Sequence, residues 1–174
     1  MPVSLDNFQK MMILLFLVTF LLPAINIYLF KLLGNISSLQ MPIRRERILP
    51  FIFIAMVYCG VTYMIQVKTG IDTSDNFLKF LMIIDALVVV GTIVTLFYKV
   101  SLHSLAVTGL VGILLPLNNL SEEIYIFYAT LIIIVIAGTV MSARLQLRAH
   151  TLREVLVGGI LGLATGFAGM VILF

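Results

Sequence analysis

Residues 144–174 read RLQLRAHTLREVLVGGILGLATGFAGMVILF, and their reading decides the fold. From Val155 to Phe174 there is no charged side chain. About 20 apolar residues rising about 1.5 Å each suffice to cross the roughly 30 Å hydrocarbon layer of a bilayer. The segment is therefore a membrane-spanning helix. Arg144, Arg148, His150, Arg153 and Glu154 just before it belong at the membrane edge. Within the span, Gly158, Gly162 and Gly166 recur every four residues, with Gly159 and Gly169 beside them. That spacing lines one helix face with small residues and lets another backbone approach closely. Packing within the bundle is the plainer use of this face; a homo-oligomer through the same helix is the alternative.

The same pattern extends over the whole chain. Of its 174 residues 61% are apolar and 11% charged, with a mean hydropathy of +1.18. Soluble domains carry about 25% charged residues, so the chain reads as an integral membrane protein, and we expect it in a bacterial inner membrane. Its apolar runs are far longer than the short alternating segments of a barrel. Spans are expected at about Met11–Leu33, Ile48–Val67, Phe77–Tyr98, Leu102–Leu117, Ile124–Met141 and Val155–Phe174. The predicted fold is all-α, a polytopic six-transmembrane-helix bundle in which residues 1–174 form a single domain. Pro23 and Asn26 interrupt the first span, and Pro50 falls in the first turn of the second, where its missing N–H costs little. The run from Met11 is longer than a signal-peptide core and lacks a following cleavage site, so it reads as a retained span. Cys59 excludes an intrachain disulfide framework and reads as a small buried hydrophobe. No basic polar face suggests nucleic acid as a partner.

With six crossings, the loops after the first, third and fifth spans share one side. That side holds Lys31, Arg44, Arg45, Arg47, Lys99, Arg144, Arg148 and Arg153. The other holds Lys10, Lys68 and Lys79 with Asp6, Asp72, Asp75, Glu122 and Glu123. The positive-inside rule would place the basic loops in the cytoplasm. Basic residues that bind an anion do not count as topological signals, however, and orientation stays open. Both histidines, His103 and His150, lie on the basic side.

His150 and Glu154 are four apart and share a face if the last helix has begun by then. A carboxylate that accepts from one imidazole nitrogen fixes the tautomer and makes the other nitrogen the better nucleophile. Arg144 offers a planar fork for two phosphate oxygens. A charged cluster that only anchors the helix end is the plainer alternative. Ser101 and His103 open the fourth span, where unpaired helix amides favour an anion. Ser101 can donate its hydroxyl or serve as a simple N-cap, and His103 can protonate a leaving oxygen.

These residues resemble those of the type 2 phosphatidic acid phosphatases, which share a fold with vanadium haloperoxidases. That family carries Lys-x6-Arg-Pro, Pro-Ser-Gly-His and Ser-Arg-x5-His-x3-Asp. The third motif corresponds to Ala143-Arg144, His150 and Glu154, the second to Val100-Ser101-Leu102-His103, and the first to the stretch Arg44 to Pro50 with Arg47 as the preferred match. Glu154 stands where the family has Asp, Leu102 replaces Gly, and Val100 replaces Pro. Gln40 falls at the family lysine, for which Arg44 or Lys99 could substitute in space.

The resemblance implies a membrane phosphatase acting on a lipid phosphate monoester or isoprenoid pyrophosphate, with no metal or other cofactor. His150 would attack phosphorus to give a phosphohistidine, oriented by Glu154. His103 would protonate the leaving alcohol and then activate water. Arg144, Ser101, Arg47 and Arg44 would hold phosphate oxygens. The rivals are a catalytically inactive relative that binds anionic lipid and a small proton-coupled transporter built on Asp85. Asp85 lies inside the third span, where a carboxylate should face the interior and bond to a hydroxyl such as that of Thr62.

Overall fold

Apolar runs bounded by hydroxyl and acidic caps fold here into helices, and helices are the regular elements throughout the described residues. The computed structural model describes residues 13, 16–39, 41, 43–70, 72–121 and 123–174. The expected start of the first span at Met11, along with Asp6, Lys10, Gln40 and Glu122, lies outside them. The elements are α1 (Leu17–Leu32), α2 (Arg44–Thr69), α3 (Asn76–Phe97), α4 (Leu102–Leu120), α5 (Ile124–Gln146) and α6 (Leu152–Leu173). Five of them, α2 to α6, are long and apolar enough to cross a membrane, and α1 is a shorter apolar helix. Large apolar side chains such as Ile132, Val135, Ile160 and Ile172 remain exposed, as a lipid-facing surface requires.

Helix ends extend beyond the expected spans because polar residues at the membrane edge continue the helix that the apolar run begins. Helix α2 starts at Arg44, so Pro50 lies in its interior and not in its first turn. The ring nitrogen there withholds a hydrogen bond from the Glu46 carbonyl. Helix α5 runs on past Met141 and carries Arg144 in its last turn. Helix α6 begins at Leu152, which makes Glu154 part of its first turn. Cys59 is exposed on α2 and not buried, since little of that helix's surface is covered by neighbours.

The irregularity expected in the first span is a π-helical turn at Leu17–Leu21, directly ahead of Pro23. Pro23 cannot donate to the Thr19 carbonyl, as an α-helix would require. The Tyr58 hydroxyl of α2 donates to it at 3.0 Å, tying α1 to α2. Asp85 on α3 interacts with the Thr62 side chain of α2, the hydroxyl expected to lie beside it.

The core is formed by Ile83 and Leu87 of α3, Leu105 and Ile113 of α4, and Met170 of α6. Helices α4 and α6 make the most extensive contact in the bundle. Gly158, Gly162 and Gly166 all face α4: added Cβ atoms would collide with the carbonyl oxygens of Ser101, Leu105 and Gly109 respectively. The small-residue face is thus filled within the molecule. Because lipid is as apolar as leucine, this contact is held by close packing and not by expulsion of water. Gly162→Val should destabilise the protein by about 3 kcal/mol, the upper range for overpacking. Gly138→Val should be neutral, since nothing lies within 4 Å of Gly138. Thermal unfolding in detergent compares the two.

Candidate functional site

Ser101 and Thr151 start α4 and α6 at the same end of the bundle. The Ser101 side chain accepts from the Ser104 amide at 3.4 Å and from the Ser104 hydroxyl at 2.8 Å. The Thr151 hydroxyl accepts from the Glu154 amide at 3.4 Å, and the Glu154 carboxylate accepts from the Thr151 amide at 3.4 Å. This reciprocal capping box fixes where α6 begins. The two starts are joined by a main-chain bond, Ser101 N–H to the Glu154 carbonyl oxygen at 3.1 Å. Gly158 makes this approach feasible, since a Cβ there would lie 2.5 Å from the Ser101 carbonyl oxygen. Two positive helix ends therefore meet, and the first-turn amides of Leu102 and His103 have no intrahelical acceptor.

His150 sits just before this junction, 7% exposed. Its Nδ1–H donates to Glu154 Oε2 at 2.6 Å. Burial pushes the imidazole below its usual pKa, with Arg47 and Lys99 acting in the same direction and the hydrogen bond to Glu154 pulling it back up. The ring is therefore neutral at pH 7, with the proton on Nδ1 and a lone pair on Nε2. Glu154 serves both partners at once, and its extra methylene over Asp lets one carboxylate reach the imidazole and the α6 cap.

Cations surround this pair. Arg47, buried in the first turns of α2, donates through Nε to the Met41 carbonyl at 2.7 Å and lies in electrostatic contact with Glu154 and Arg144. Arg144 has a buried Nε without a hydrogen-bond partner among the described residues. His103, exposed in the first turn of α4, feels the charges of Arg144 and Arg47. His150, Glu154, Arg144, Arg47 and His103 are thus brought together from four helix ends. Ser101 is there too, but fully buried, with its oxygen engaged in capping and only its own proton left to donate.

Arg44 is placed elsewhere. Its guanidinium donates to the carbonyl oxygens of Leu96 and, at 3.4 Å, Thr95, closing the C-terminal turn of α3. Lys99, the other candidate to stand in for the family lysine, reaches the cluster, with Nζ 3.8 Å from Glu154 Oε2. Ser104, buried against Ser101, carried no signal beyond the common N-cap pattern.

A cavity of about 320 Å³ opens between α2, α3 and α4. It is lined by Phe51, Ile54, Tyr58, Ile84, Leu87, Val88, Gly91, Thr92, Leu102, Leu105, Ala106, Leu110 and Ile113. The Thr92 hydroxyl already donates to the Val88 carbonyl at 2.8 Å, which leaves the wall apolar. Leu102, the residue between Ser101 and His103, is part of the lining, so the cavity wall adjoins the polar cluster in sequence.

Compared with protein-family models, curated proteins and solved structures, the chain finds no match in any of the three.

Proposed function

We propose that this chain is a six-helix membrane phosphatase resembling the type 2 phosphatidic acid phosphatases, acting on a lipid phosphate monoester or isoprenoid pyrophosphate. The observation that carries the reading is the buried His150–Glu154 pair at 2.6 Å, set among Arg144, Arg47 and Lys99. Three cations facing one carboxylate leave positive charge in excess, and a phosphoryl dianion supplies what is missing. A helix-end anchor alone would have no use for a buried, unpaired Arg144 Nε.

In the reaction, His150 Nε2 attacks phosphorus while the ester P–O bond breaks, and His103 gives a proton to the departing alkoxide. His103 then takes a proton from water, whose oxygen attacks phosphorus as the P–N bond breaks and the electron pair returns to Nε2. Lipid alcohol and inorganic phosphate leave. Arg144, Arg47 and the open amides of α4 hold the equatorial oxygens as charge builds on them. The hydrocarbon tail lies in the cavity between α2, α3 and α4.

The test is inorganic phosphate release by detergent-solubilised protein from phosphatidic acid, phosphatidylglycerol phosphate and undecaprenyl pyrophosphate. Release above the background of a His150→Ala control supports the phosphatase. Release no greater than that control, with lipid phosphate still bound, favours the inactive lipid-binding relative. For the tail site, Ala106→Phe should lower kcat/KM roughly tenfold for long-chain substrates, the scale on which a few apolar contacts discriminate. A short-chain, water-soluble ester should be hydrolysed as by wild type.

A further inference from the structure

Asp85 stands nine residues into α3 and twelve before its end, about 14 Å and 18 Å along the helix from its two termini. A carboxylate at that depth in a bilayer is costly unless it is paired. Among the described residues no cation pairs with it, and the ion pairs formed are those of Glu154. Lys79, six residues earlier on α3, is held over the Phe174 ring, with Nζ 4.8 Å from the centroid. Lys68 is exposed in the last turn of α2. The Tyr58 hydroxyl lies in electrostatic contact with Asp85 but donates its proton to the Thr19 carbonyl at 3.0 Å. The Cys59 thiol, also in electrostatic contact, is a weak donor. Thr62 offers one hydroxyl proton, whereas an ionised carboxylate accepts at about four lone-pair sites.

This carboxylate borders the cavity of about 320 Å³ between α2, α3 and α4. On α2, Phe51, Ile54 and Tyr58 line it, and Thr62 follows Tyr58 by four residues on the same face. On α3, the lining residues Ile84 and Val88 bracket Asp85. Helix α2 starts and α3 ends on the basic side, so on both helices Thr62 and Asp85 lie deeper in the membrane than Phe51 and Thr92. The volume falls in the range of small-ligand pockets, and the Phe51 and Tyr58 rings attract a cation.

From this geometry we propose that the cavity is a binding site for a lipophilic amine, its ammonium donating to Asp85 and Thr62 and its apolar body lying between α2, α3 and α4. The apolar walls set the size of the ligand, and the carboxylate decides which end goes deepest. An aminophospholipid headgroup stays at the bilayer surface, which leaves a single-chain amphiphilic amine as the class. The inference does not rest on the phosphatase reading, although amine and substrate tail would compete for the same walls.

Binding of tritiated decylamine to full-length protein in nanodiscs of zwitterionic lipid tests it, with decanol as a neutral competitor of the same length. Wild type should show a single saturable class of sites, displaced by unlabelled decylamine and not by decanol at equal concentration. Asp85→Asn keeps the shape and removes the charge; it should weaken binding about tenfold or more, the loss of one charge-assisted contact. Asp85→Glu should retain most of the affinity. Ala106→Phe, which fills the cavity and leaves Asp85 in place, should weaken binding by a similar factor. Equal affinity in wild type and Asp85→Asn would overturn the inference, because the carboxyl would then be satisfied by its own proton. Displacement by decanol as effective as by decylamine would overturn it too, as would undiminished binding in Ala106→Phe or no saturable binding by wild type. Amine bound with the expected ranking by a protein that hydrolyses no lipid phosphate would support the site and count only against the hydrolase.

Discussion

His150→Ala should lower phosphate release from the preferred lipid phosphate by at least about 10,000-fold, the scale seen when a nucleophile is removed from a unit whose members act together. The protein should still fold, because His150 precedes α6 and contributes none of its capping bonds, which come from Thr151 and Glu154. Phosphate should still bind, since Arg47, Arg144 and Lys99 remain. Loss of turnover with binding retained is what a nucleophile predicts and a mere anchor does not. His103→Ala provides the complementary result. It should slow both halves of the reaction, and protein quenched in alkaline detergent, where a P–N bond survives, should carry phosphate from a phosphorus-labelled substrate on His150. If His150→Ala and wild type release phosphate equally, His150 is not the nucleophile.

The cluster at the basic end was legible because, Arg47 apart, its members fall into two short segments with fixed spacing. The four-residue step from His150 to Glu154 needs only a helical start to bring imidazole and carboxylate together, and the 2.6 Å contact is that consequence. The glycine face of α6 was equally legible, since a period of four determines which side is small, although only the structure shows that α4 fills it. Arg44 and Lys99 could not be separated in the same way. Both are long cations near the right helix ends, and their tasks depend on which carbonyls and carboxylates the neighbouring helices present. Arg44 meets the end of α3, while Lys99 meets Glu154. The helices outrun the expected spans for a related reason. Hydropathy marks where a helix enters hydrocarbon, whereas Thr151 and Ile43 mark where the backbone begins to coil. The difference matters at Glu154, which lies in the first turn of α6 as part of a capping box and is not merely a residue ahead of the span.

The double duty of Glu154 leads to the sharpest expectation about pH. Wild-type kcat/KM should fall on the acid side with a midpoint below the ordinary imidazole value of 6.5, because burial lowers the pKa of His150 and only the neutral ring is a nucleophile. The hydrogen bond to Glu154 acts against that shift by favouring the protonated ring. In Glu154→Gln this upward pull is lost, so the His150 pKa drops further and the acid limb moves to still lower pH. The plateau should fall by about 100- to 10,000-fold, because the neutral amide still orients the ring but no longer stabilises the positive charge that develops on it. Glu154→Asp separates the two duties differently. The charge is kept, but the shorter side chain cannot span both His150 and the Thr151 amide. It should lose about 1 kcal/mol of helix-start stability, as cap deletions do, while keeping far more activity than the amide. The pair of pH profiles decides the matter: an acid limb that does not move in Glu154→Gln would mean that another group, and not His150, titrates in the rate.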